Sequence, residues 1–330
     1  MRQLRPGTVA VIILFLACFA IGPNAGAGAP EGAKYVGSKL CIACHKGTHA
    51  EAVAGWAQSA HPRALWPVEA ADDTHVVVAD FSQNAPFARD KIAFVLGSGI
   101  RQQAYLDKDL KVLPDRWLVK EKKWAPQATL APQATLAPQE ALDARNDCLG
   151  CHTTAYDPAT AQWKEPGVAC EMCHGPGSVH AGSQDKKGTI VRAADLDPAR
   201  RAMLCGQCHS VGHSTDGRYT FPAGFVAGDD LDKSYTLSPG VQESGMNAQY
   251  NDLRLGGGKH LAAGTVCTTC HDPHKAEAPS LRTQGNELCL QCHAGKLTGA
   301  QHNEGTLKAV QCTVCHMPGA RHLFVSGVKK

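Results

Sequence analysis

Sustained apolar runs occur in only two parts of this 330-residue chain. Residues 9–21 are apolar almost throughout, follow the basic Arg2 and Arg5, and precede the small residues Ala25-Gly26-Ala27. This is the layout of a cleavable secretory signal over residues 1–27, and the run is too short for a comfortable membrane span. The second part holds Val76-Val77-Val78 and Ile92-Ala93-Phe94-Val95-Leu96, a break at Gly97-Ser98-Gly99, and hairpin-like segments around residues 105–113 and 117–124. It predicts a small β-rich insert near residues 71–124. Elsewhere apolar positions come in short bursts, broken by 33 glycines and 19 prolines with only 6% aromatic residues. That pattern predicts a mainly α chain with much irregular structure.

Fourteen of the fifteen cysteines fall into seven copies of Cys-x-x-Cys-His. In chain order, motif 1 is Cys41/Cys44/His45, motif 2 Cys148/Cys151/His152, motif 3 Cys170/Cys173/His174 and motif 4 Cys205/Cys208/His209. Motif 5 is Cys267/Cys270/His271, motif 6 Cys289/Cys292/His293 and motif 7 Cys312/Cys315/His316. On a helical turn, positions i, i+3 and i+4 share a face. Two thiols there reach the vinyl carbons of a haem while the next side chain, the proximal histidine, meets its iron. Zinc sites and disulfides give no reason for a histidine after every second cysteine. The expected cofactors are therefore seven haem c groups. The remaining cysteine, Cys18, follows Phe15-Leu16-Ala17 in partial likeness to a lipoprotein acylation site; apolar residues continue past it, which favours the signal core, and lipidation stays open.

Seven haems change the bulk picture. Roughly 43 mature residues per haem are too few for separate domains, so the fold is expected to be built around stacked haems. Without Arg2 and Arg5 the chain has 31 basic and 30 acidic residues. Two propionates per haem would take the holoprotein to roughly −6 oxidised and −13 reduced. That acidity argues against a nucleic-acid partner, and no segment after the signal is expected to span a membrane.

The motif spacing suggests a first haem module at 28–70, a haem-free insert at 71–147, a three-haem module at 148–215, an irregular connector at 216–262 and a second three-haem module at 263–330. The insert ends in a six-residue duplication, Ala125-Pro126-Gln127-Ala128-Thr129-Leu130, repeated over residues 131–136 and begun again at Ala137. Its regular prolines and lack of charge read as a surface loop.

Tyr35-Val36-Gly37-Ser38, motif 1, and Trp56-Ala57-Gln58-Ser59-Ala60-His61 resemble the opening of multihaem cytochromes related to the tetrahaem electron acceptor of hydroxylamine oxidation. The run from Cys170 through Gly175-Pro176-Gly177-Ser178-Val179-His180 resembles them too. Residues 267–317, with His271-Asp272-Pro273-His274 and His316-Met317-Pro318, look like a doubled Cys-x-x-Cys-His domain. The resemblance implies haem attachment outside the cytoplasm and electron transfer along closely packed haems held in parallel or perpendicular pairs.

Whether an iron carries electrons or binds substrate depends on its sixth ligand. Nine histidines lie outside the motifs. His49, His213 and His274 stand three or four residues beyond a proximal histidine, on the same side of that haem, so they suit a neighbour's iron instead. The resemblance favours His61, His180 and His274; placement near motifs favours His260, His302 and His322. His213 is the seventh choice, ahead of His49, and His75 reads as structural. Met203 and Met246 are too few for a mostly His/Met protein, so mainly bis-histidine, low-spin haems are expected.

The leading expectation is periplasmic or cell-surface electron transfer between redox proteins such as a quinol oxidase, a reductase or an outer-membrane conduit. An extracellular or outer-membrane-associated location is the alternative. An oxidoreductase of small nitrogen or sulfur compounds at one open haem is a second reading, although no Cys-x-x-Cys-Lys variant marks a catalytic haem. A third is a subunit of an extracellular cytochrome filament, which makes an oligomer conceivable.

Overall fold

The computed structural model describes residues 28–69, 76–127, 142–239, 248–256, 258–277, 279–297 and 302–325. The expected signal with Cys18, His75, Met246 and most of the six-residue repeat lie outside them.

Helix and sheet share the fold, so the mainly α expectation is too simple. Five short strands form one antiparallel sheet in sequence order: β1 (Leu65–Pro67), β2 (Phe94–Leu96), β3 (Gln102–Leu106), β4 (Asp115–Leu118) and β5 (Lys123–Pro126). Leu65 pairs with Leu96, Val95 with Tyr105, and Trp117 with Trp124. The sheet therefore starts before the expected insert. Val76-Val77-Val78 is no strand: Val78 N–H donates to Gln103 Oε1 at 3.0 Å, and Gln103 Nε2 donates to the Val76 carbonyl at 2.7 Å. A buried amide thus satisfies the backbone that a neighbouring strand would otherwise pair.

Strand alternation gives this sheet two apolar faces. Leu65, Leu96, Ala104 and Leu106 pack with Ala144 and Leu149, next to motif 2. Val95, Tyr105 and Trp117 turn the other way, onto Val76, Val77 and Ile92. Thus the insert is a platform for the motif 2 turn. Two smaller sheets pair β6 (Thr153–Thr154) with β7 (Glu165–Pro166), and β8 (Gly212–Ser214) with β9 (Tyr235–Leu237).

Helices are short and gather at the motifs. Ser38–Thr48 carries motif 1, Leu149–His152 most of motif 2, Cys170–His174 motif 3, and the end of Pro198–Gly206 begins motif 4. Cys267–Cys270, Glu287–His293 and Cys312–His316 carry the last three. Ala202, Met203, Tyr235, Tyr250 and Val266 form the core between motifs 4 and 5. Met203 is committed there, its sulfur accepting from Leu231 N–H at 3.4 Å.

From Cys267 to Val325 no described side chain is buried, and Val314, inside motif 7, is 64% exposed. Yet this stretch folds into three motif helices. Polypeptide alone supplies no core there, as expected if macrocycles provide the missing apolar contacts. Among the described residues no helix is long and apolar enough to cross a membrane.

Candidate haem-binding site

Four of the motif histidines are oriented from behind. His152 Nδ1 lies 2.7 Å from the Ala64 carbonyl, His174 Nδ1 2.9 Å from Val191, His271 Nδ1 2.6 Å from Pro279 and His316 Nδ1 2.7 Å from Val325. A carbonyl only accepts, so Nδ1 holds the proton and Nε2 keeps its lone pair for a metal. Burial lowers the pKa of His61, His152 and His174, and pushes His209 down to about 4. Each stays neutral near pH 7, as a ligating imidazole must.

Six motif histidines face a second imidazole. Ring centres lie 6.1 Å apart in His45/His180, 6.2 Å in His174/His274 and 6.5 Å in His209/His61. His271/His322, His293/His260 and His316/His302 stand at 6.1, 6.0 and 6.0 Å. Metal–nitrogen bonds of about 2 Å on both sides, plus about 1.1 Å from each nitrogen to its ring centre, require about 6 Å. The pairs therefore fit one iron each. Ring planes are near parallel in His302/His316, at 8°, and near perpendicular in His61/His209, at 83°. Among the described residues no group of three or more His, Cys, Asp or Glu side chains converges on a bare metal ion.

His213 does not join this set. It is exposed on β8, with Nδ1 2.9 Å from the Ser214 carbonyl. His49 stacks on His45 from the next helical turn, at 5.1 Å. His152 faces no other imidazole among the described residues.

The pairs are crossed, binding distant parts of the chain. His61 from the first module meets motif 4, and His274, just past motif 5, meets motif 3. Gly55 makes the latter approach possible: a Cβ there would stand 2.0 Å from the His274 carbonyl oxygen. Gly55→Ala is expected to displace His274, cost about 1–3 kcal/mol, and convert one low-spin haem to high spin in the magnetic resonance spectrum of the oxidised holoprotein. An unchanged spectrum would contradict that role.

Glu171, between the two cysteines of motif 3, escaped sequence reasoning. It is 1% exposed and accepts backbone N–H groups from Val36 at 2.9 Å and from Gly37 and Gly177 at 2.7 Å each. Gly37 caps the motif 1 helix and Gly177 precedes the His180 helix. One carboxylate thus aligns both imidazoles of the first pair. The available signal was an acidic residue inside a motif otherwise built to be covered.

Segments carrying different motifs also meet. The motif 1 helix lies against the motif 3 helix, motif 2 against motif 4, the motif 4 helix against the motif 5 helix, and Asn286, just before the motif 6 helix, accepts the Cys312 N–H of motif 7 at 2.6 Å. At the second contact, Cys208 Sγ is 3.9 Å from the Cys151 carbonyl, and Cys151 Sγ 3.6 Å from the Gln207 carbonyl. Gln207 Nε2, inside motif 4, donates to the Met172 carbonyl, inside motif 3, at 3.2 Å, and the Phe324 ring packs against His260 at 4.1 Å and His322 at 5.8 Å.

The motif cysteines, equivalent in sequence, are not equivalent in the fold. Cys44, Cys292 and Cys315 are exposed, whereas the other eleven are partly covered. All three are the second cysteine of their motif, on helices that bury little: Ser38 alone is buried in the motif 1 helix, and nothing is buried in the helices of motifs 6 and 7. Among the described residues the polypeptide leaves Cys44, Cys292 and Cys315 uncovered.

Residues 259–298 match the family described as doubled CXXCH motif, and residues 117–175 the family of cytochrome c554 and c-prime. The chain is 26% identical over 189 residues to the multihaem cytochrome MtrA of Shewanella baltica (strain OS185), a match covering 52% of this chain. It takes in 45% of that protein, so the chain spans less than half the length of this curated relative. The solved outer cell wall cytochrome OcwA superposes with a TM-score of 0.65 at 23% identity, over 88% of this chain and 79% of that one. The undecahaem cytochrome from the S-layer of Carboxydothermus ferrireducens gives 0.55 at 20% identity, over 90% of this chain and 53% of that one. At these identities the structural likeness is one of fold. Joined to seven thiol-thiol-imidazole motifs, the matches identify the chain as a multihaem c-type cytochrome, with haem c as its cofactor.

Proposed function

We propose that the chain binds seven haem c groups, one per motif, and passes electrons between redox proteins in the periplasm or at the cell surface. The observation that carries this reading is the set of six imidazole pairs, each spaced for one iron. Haem c supplies one-electron exchange at its iron. The polypeptide holds each macrocycle through two thiols, fixes the tautomer of four proximal histidines through a carbonyl, and closes the other face of six sites with a second histidine. Two imidazoles exclude substrate and favour low potential relative to a methionine ligand. The printed names of the two structural relatives place those proteins in an outer cell wall and an S-layer; with the expected signal, they support export of this chain. The partner is another redox protein, such as a quinol oxidase, a reductase or an outer-membrane conduit.

The test is the mature holoprotein. Mass and pyridine-haemochrome absorbance are expected to give seven haems per chain, and magnetic resonance mostly low-spin iron. Fewer haems or dominant high-spin signals would overturn the proposal. A second reading has one specific observation behind it, the absence among the described residues of an imidazole facing His152. It makes motif 2 an open site for a small ligand. Carbon monoxide added to the reduced protein is then expected to bind one haem per chain, and no binding would exclude that reading.

A further inference from the structure

We infer that the haem sites form a branched line, ordered 1–3–4–5–6–7, with motif 2 attached to the side of motif 4. The inference rests on the seven-haem reading above and goes beyond it, because chain order alone would place motif 2 between motifs 1 and 3.

Motif cysteines would attach to the rim of the macrocycle, so contact between two motifs brings two rims together. Helix packing joins motifs 1 and 3 and motifs 4 and 5, and the contacts of Cys151 and Cys208 sulfurs with each other's backbone join 2 and 4. The Gln207 contact with the Met172 carbonyl joins 3 to 4, the Phe324 ring shared by His322 and His260 joins 5 to 6, and Asn286 joins 6 to 7.

Side-chain contacts reproduce part of this order independently. Cys170 N–H of motif 3 donates to Ser38 Oγ of the motif 1 helix at 3.3 Å, and Cys267 of motif 5 packs against Ala202 and Met203 of the motif 4 helix. Motif 2 reaches the line at Cys208, while its other side rests on the five-stranded sheet.

Motif 4 is consequently a three-way junction. Electrons travelling between motifs 1 and 7 must cross it, whereas motif 2 draws on the line without interrupting it. A branch of this kind suits a haem that stores an electron or delivers it to a small ligand.

The experiment places a spectroscopic marker. His61→Met gives motif 4 a methionine face with a raised potential, and His260→Met does so at motif 6. Each marker is titrated with and without Cys148→Ala/Cys151→Ala, which removes the motif 2 haem. The motif 4 marker is expected to shift its midpoint potential when its neighbour's charge is lost, and the motif 6 marker to stay. A shift at motif 6 alone, or at neither, would overturn the branched order. Should the variants fail to mature, iron–iron separations in a structure of the wild-type holoprotein decide it. Motif 4 must then be motif 2's nearest neighbour, and motif 3 must be motif 1's. A wild-type count other than seven haems would instead refute the reading beneath.

Discussion

Glu171→Ala is expected to destabilise the fold by about 3–5 kcal/mol, from several buried N–H groups each left unpaired at roughly 1–3 kcal/mol. The donors are Val36, Gly37 and Gly177, and no water reaches a carboxylate that is 1% exposed. The loss is directed as well as large. Gly37 has φ of 94°, a conformation glycine adopts without strain, and it stands immediately before the motif 1 helix. Gly177 opens the helix that carries His180. Without the shared acceptor, His45 and His180 lose their common reference and the 6.1 Å spacing between them. Thermal unfolding should therefore fall in parallel with the appearance of one high-spin haem. Glu171→Gln keeps the shape and one acceptor oxygen but turns an NH2 group toward N–H donors. It should rescue stability only in part. A normal melting curve for the alanine variant would refute the assignment.

The motifs and the axial pairs differ in how far the sequence reveals them. A motif is local: its two thiols and one imidazole lie within five residues and need only one helical turn, so all seven are readable directly. How well each thiol is covered is not local: Cys44, Cys292 and Cys315 are exposed, and the other described motif cysteines are partly covered. The facing histidines are not local either. Residues His61, His180, His260, His274, His302 and His322 can be shortlisted by likeness and proximity, but which one meets which motif depends on contacts made far along the chain. His61 crosses nearly half of it to reach His209. His213 fails as a choice because β8 pairs with β9, and this ladder holds its ring outward beside Ser214.

The sheet shows the same division. The Trp117-to-Trp124 hairpin has strong local signals and forms as β4 and β5. Strand β1 has almost none, being three residues ending in proline, and exists because Leu65 finds Leu96 and buries itself against motif 2. Val76-Val77-Val78 has high strand propensity but pairs with no strand; the Gln103 side chain bonds its backbone instead. Propensity identified apolar extended chain there and could not identify its partner.

Asp252→Ala is expected to open the motif 5 haem. The Asp252 side chain is 4% exposed and accepts from Arg321, through Nε at 3.3 Å and through Nη2, while its Oδ2 also accepts the His322 N–H at 3.0 Å. His322 is the imidazole facing His271. The carboxylate therefore ties the C-terminal segment to the helix Gln249–Leu255 at the two residues that decide the ligand's position. Removing it breaks the Asp252–Arg321 ion pair, in which the Arg321 side chain is 17% exposed, a change that typically costs about 3–5 kcal/mol in a buried pair. Part of that cost is avoided if the segment swings into solvent, and His322 leaves with it. The variant should then gain one high-spin haem and bind carbon monoxide there. His322→Ala should give the same spectrum without the loss of stability, because the Asp252–Arg321 pair survives. Asp252→Asn, which keeps one acceptor but no charge, should fall between. If Asp252→Ala lowers the melting temperature while every haem of the line stays low spin, Asp252 stabilises the fold without positioning the ligand.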